Sequence, residues 1–221
     1  MPQAALRPAK HDQLLTLARG ATGAVEALLA DAATKVRERV VLEGQPAARL
    51  FDREQRATHG LAWLATYAEA VRQLTAYAER MQDGGLFTEI EQLIVRVGLA
   101  EYLAQIQGGI PISQAEIVRP ADLGLSAAAV AARMTADVER LIATGNTAQN
   151  RARLAELIRG WQAEGRVAAD VDAALAARTT FALYSSALLG WLSGQIPSAA
   201  ARDDLLARSF ALHWRGLVID S

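Results

Sequence analysis

Few residues in this 221-residue chain have the type and spacing that chemistry requires. The three histidines, His11, His59 and His213, are far apart in sequence, and none has a partner at metal-ligand spacing, so no metal site is expected. Cysteine is absent, which excludes disulfides, thiol catalysis and thiolate metal centres. Ser185-Ser186 lies in an apolar run without the flanking glycines of a nucleophile elbow. No Walker-type or dinucleotide-binding glycine pattern occurs. Asp203-Asp204 falls in the first turn of an expected helix, where the helix dipole accounts for both. No residue is assigned a catalytic role. The most suggestive arrangement is His59, Trp63 and Tyr67, whose four-residue steps stack them along one helix face. Such a face can wall a ligand, but a packed core or interface cluster is the preferred reading.

These three residues sit in residues 52–82, the stretch around which the chain is organised. Leu61, Leu64, Ala68, Val71, Leu74, Ala78 and Met81 recur at steps of three and four, one apolar stripe on a helix about 45 Å long. Only other helices laid alongside can cover such a stripe. Asp12 is placed to cap an earlier helix running to about residue 39, and residues 42–46 form a break. Asp83-Gly84-Gly85 ends the long helix. A third helix is expected over 87–107, then a non-helical crossing over 108–120 with two glycines and two prolines. Ser126 can cap a helix over 127–143, and Asn146 or Thr147 another from about 148. No alternating β-branched run is long enough for a sheet. The expected class is all-α: an antiparallel helical bundle with an appended two-helix C-terminal unit.

The character of the sequence changes after Arg159. Asp170 or Asp172 can start a helix in which only Arg178 is charged between Asp172 and Gly194. A helix apolar on nearly every side must be buried by several neighbours or by a second subunit. Pro197-Ser198 opens a last amphipathic helix with Leu205, Leu206, Phe210 and Leu217 inside. Leu188, Leu189, Trp191 and Phe210 are the expected interface of a homodimer.

Composition narrows the classes further. The chain is 52% hydrophobic and 21% charged, which suits a folded globular protein. A formal net charge of −1 supplies no basic field for nucleic acid or an anionic membrane. The start lacks the apolar core of a secretory signal, and residues 181–192 are too short to span a bilayer, so a cytoplasmic protein is expected.

Two family resemblances follow from particular motifs. Thr58-His59-Gly60-Leu61-Ala62-Trp63-Leu64-Ala65-Thr66-Tyr67, Glu101-Tyr102-Leu103-Ala104-Gln105, Gly108-Gly109-Ile110-Pro111, Glu116-Ile117-Val118-Arg119-Pro120 and Ala143-Thr144-Gly145-Asn146-Thr147 occur in that order. Over 14–159 the chain resembles the helical N-terminal extension of methylsuccinyl-CoA dehydrogenases, a branch of the flavin-dependent acyl-CoA dehydrogenases. The resemblance implies FAD and short branched acyl-CoA chemistry for a full-length relative. It implies no cofactor for this chain alone, because the β-domain and a motif-matched glutamate base are missing. Gln105-Ile106-Gln107-Gly108-Gly109 also resembles a Gln-x-x-Gly-Gly turn of these enzymes, where backbone approaches a neighbouring subunit's flavin pyrophosphate. Gln105, Gly108 and Gly109 are therefore candidate cofactor contacts, although Pro111 stands where the family often has a glycine. A degenerate copy kept for packing is preferred.

The tail resembles the C-terminal dimerisation helices of tetracycline-repressor-type regulators, through Gln162-Ala163-Glu164-Gly165, Asp170, Ala187-Leu188-Leu189-Gly190-Trp191-Leu192 and Arg215-Gly216-Leu217. The helix-turn-helix of those regulators has no counterpart. The chain thus reads as a chimera, with 1–159 a dehydrogenase-type module and 160–221 a regulator-like tail. The expected role is a non-catalytic module acting in packing or assembly. The alternative is a dimerising sensor for a small-molecule or acyl-CoA ligand without a DNA-binding head.

Overall fold

The structure, a computed structural model, describes residues 9–42, 44–112, 116–145, 148–179, 182–183, 197–198, 201, 204–205, 208–209 and 212. Leu188, Leu189, Trp191 and Phe210, the expected dimer contacts, lie outside the described residues. The chain divides into two compact units, Met1–Gly145 and Asn146–Ser221. This packing boundary falls ahead of the change in sequence character at 159.

The first unit is an all-α bundle with two minimal hairpins. Its helices are α1 (Ala9–Val40), α2 (Ala48–Arg53), α3 (Gln55–Asp83), α4 (Glu89–Gly108), α5 (Ala127–Arg133) and α6 (Ala136–Gly145). The register of the side-chain bonds shows that neighbours run antiparallel. Arg19 of α1 reaches Glu79 of α3 at 2.7 Å, Thr22 meets Thr75 at 2.9 Å, and Arg39 meets Glu54 at 3.7 Å. Between α3 and α4, Tyr67 bonds Gln105, and Leu74 packs under Gly98. Helices α1, α3, α4 and α6 close a ring, each packed on the next.

The core follows from the apolar stripe. Leu64, Ala68, Val71, Leu74 and Ala78 of α3 are buried, whereas Leu61 and Met81 at the stripe's ends are half-exposed. They face Leu14, Ala21, Val25 and Leu28 of α1 and Val95, Leu99, Leu103 and Ile106 of α4, all buried. Thr75 is the one polar side chain fully inside among the described residues. Its hydroxyl bonds Val71 O (3.0 Å) and the Thr22 hydroxyl, so its burial leaves no unmet hydrogen bond.

Several boundaries differ from expectation for local reasons. Helix α1 runs through Asp12, which is therefore no N-cap. The stretch 52–82 is interrupted at Glu54, whose φ and ψ of −101° and 25° are non-helical. Its N–H still closes α2 on Leu50 O, while its C=O accepts from Thr58 N and starts α3. The helix expected over 127–143 is broken at Met134, at φ −77° and ψ 72°, and restarts after Thr135, whose hydroxyl accepts from Val138 N at 3.4 Å. Ser126 does cap α5, accepting from Ala129 N at 3.1 Å. Helix α4 begins two residues later than expected, at a Thr88–Glu91 capping pair. The breaks after α1 and after α4 each fold into a two-residue antiparallel hairpin, β1 (Val41–Leu42) with β2 (Gln45–Pro46) and β3 (Ile110–Pro111) with β4 (Ile117–Val118). These are turn closures and not a sheet.

The second unit contains α7 (Ala148–Ala163) and a helical stretch over 173–179. Ala155 and Ile158 of α7 are buried against Val167, Ala173, Ala176 and Ala177, with Leu154, Trp161 and Val171 packed around them. Asp172 caps the 173–179 stretch, its Oδ1 accepting from Ala174 N (2.9 Å) and Leu175 N (3.1 Å). Ser198 Oγ accepts from Ala201 N at 3.1 Å. No described helix is long and apolar enough to cross a membrane.

Candidate functional site

Antiparallel packing brings the start of α3, the end of α4 and the 109–124 crossing to one end of the first unit. The candidate residues of this unit lie on these elements. Along α3, His59 is exposed, Trp63 half-buried and Tyr67 buried. The Trp63 indole N–H donates to His59 Nε2 at 3.0 Å, and the rings stand edge-on, 6.2 Å apart at 86°. In that bond the indole is the donor and Nε2 the acceptor.

Tyr67 is turned the other way, into the α3–α4 interface. Its hydroxyl donates to Gln105 Oε1 at 2.7 Å, and its ring meets Tyr102 edge-on at 5.1 Å. Burial, helped by the Glu101 carboxylate, pushes the Tyr67 hydroxyl above its ordinary pKa. Two groups singled out separately in the sequence are thus joined by one hydrogen bond. The expected wall is split, however: His59 and Trp63 form a surface pair, and Tyr67 belongs to the core.

The Gln-x-x-Gly-Gly turn is the end of α4. Gly109 adopts φ 137° and ψ 131°, a region open only to glycine, and donates its N–H to Gln105 O at 2.8 Å. A Cβ there would overlap Ile117 Cγ2. Gly108, by contrast, is exposed, and a Cβ on it would meet nothing within 4 Å. These residues do not fit a flavin pyrophosphate. The Gly109 N–H is already used at the helix end, and the carbonyl end of a helix carries partial negative charge, which disfavours an anion.

What holds the crossing in place was not singled out in the sequence. Asp122 accepts from Arg119 N (2.8 Å) and pairs with Arg56 of α3 at 3.1 Å, while Arg56 Nη2 also donates to Ile117 O (2.8 Å). Arg39 of α1 adds a bond to Asp122 O at 3.1 Å. The Arg56 guanidinium, with the Arg119 amide, holds the Asp122 carboxyl below the usual carboxylate range. Beneath this network Gly60 lets Val118 and Leu123 lie directly on α3, since a Cβ there would sit 2.6 Å from Val118 Cγ1. The available signal was Arg119-Pro120-Ala121-Asp122: proline at the first position of a helical turn and an acid at its third. Elsewhere in this unit a shallow depression of about 430 Å3 is lined by Asp31, Thr34, Lys35, Gly124, Leu125, Ser126 and Ala129. Among the described residues no group of three or more acidic or histidine side chains gathers as for a metal.

Comparison with known proteins adds one relative. The chain is 45% identical over 146 residues to the (2S)-methylsuccinyl-CoA dehydrogenase of Cereibacter sphaeroides. The match takes in 66% of this chain but only 26% of that enzyme. No family model matches the chain. Sequence likeness and helical fold agree, and the chain carries an acyl-CoA dehydrogenase-like helical segment.

Proposed function

We propose that the chain is a non-catalytic helical module of the acyl-CoA dehydrogenase family, acting in packing or assembly. The observation that carries this reading is the 45% identity confined to 26% of a methylsuccinyl-CoA dehydrogenase. The geometry of the candidate turn supports it, because every candidate group there except Gly108 is engaged in holding helices or the crossing together. FAD and acyl-CoA thioesters belong, in this reading, to a partner or full-length relative. The test is direct: the purified chain is examined for flavin absorbance after gel filtration and for acceptor reduction with methylsuccinyl-CoA. The reading predicts neither; stoichiometric flavin or turnover overturns it.

Self-association through the C-terminal unit is part of the same proposal. Its support is that the 173–179 stretch buries an alanine face on α7 while Leu175, on the other side, is 56% exposed. From 179 to 201 the sequence carries no charge that would keep such a surface in water. The competing reading, a repressor-type sensing domain, predicts a dimer as well. It is distinguished by saturable small-molecule binding, which an assembly module lacks.

A further inference from the structure

We draw no further inference here: the strongest candidate, the exposed apolar surface that Leu42 of β1, Phe51 of α2 and Ile117 of β4 leave on the first unit, carries nothing because nothing in the structure shows what covers it.

Discussion

Exchanging the two adjacent glycines of the α4 terminus separates a packing turn from a cofactor cradle. At Gly109 an alanine must either hold φ near 137° or move the hairpin, because its Cβ would overlap Ile117. Strained backbone of that kind costs about 1–3 kcal/mol. Relief by moving Ile117, which is 40% exposed, keeps the value near the middle of that range, about 2 kcal/mol. Gly108 is the last residue of α4 with open space around it, so Gly108→Ala removes the helix penalty of glycine and gains about 0.5–1 kcal/mol. For a unit of this size each kcal/mol moves Tm by roughly 2–4 °C. Gly109→Ala should then melt roughly 4–8 °C lower and Gly108→Ala slightly higher, read by the helical circular dichroism signal and by urea titration. Equal stability of Gly109→Ala and wild type, or a destabilised Gly108→Ala, refutes the reasoning.

Three further outcomes are expected. Tyr67→Phe keeps the ring pair with Tyr102 but strands Gln105 Oε1 at a half-exposed position, so urea unfolding should show a loss of about 0.5–1.5 kcal/mol. Asp122 and Asp31 both have folded pKa values below their ordinary ones, chiefly through Arg56 and Arg133. Their stabilisation is present above the ordinary carboxylate pKa and is lost as pH falls through the lowered folded values. Asp122→Asn should therefore flatten the acid limb of the stability profile while costing no more than about 1 kcal/mol at neutral pH, since Arg56 is half in water. In light scattering, Leu188→Glu or Trp191→Glu should convert a dimer into a folded monomer; a monomeric wild type at micromolar concentration removes the dimer altogether.

Much of the bundle was legible because one signal, the spacing of apolar residues, decides helix and buried face together. Leu64, Ala68, Val71, Leu74 and Ala78 were found that way and are inside. Glycine pairs and Ser126 marked real ends for the same local reason. The break at Glu54 left no such trace, since glutamate does not disfavour helix, whereas the break at Met134 precedes Thr135, a cap type whose hydroxyl accepts from Val138 N. In the candidate site, the α3 spacing put His59, Trp63 and Tyr67 on one face, but it could not show that Tyr67 rotates toward Gln105 on another helix. Arg56, Asp122 and Arg39 are separated by up to 83 residues, and only the fold brings them together. The motif likeness pointed to the dehydrogenase segment that the 45% identity then supported.

A reconstitution in trans tests the assembly role most directly. The Cereibacter sphaeroides enzyme is assayed with its matched quarter removed, alone and with this chain added. The account predicts that the chain by itself turns over nothing and that adding it restores stability or activity to the shortened enzyme in a saturable way. Turnover by the chain alone, or a shortened enzyme indifferent to its presence, contradicts it.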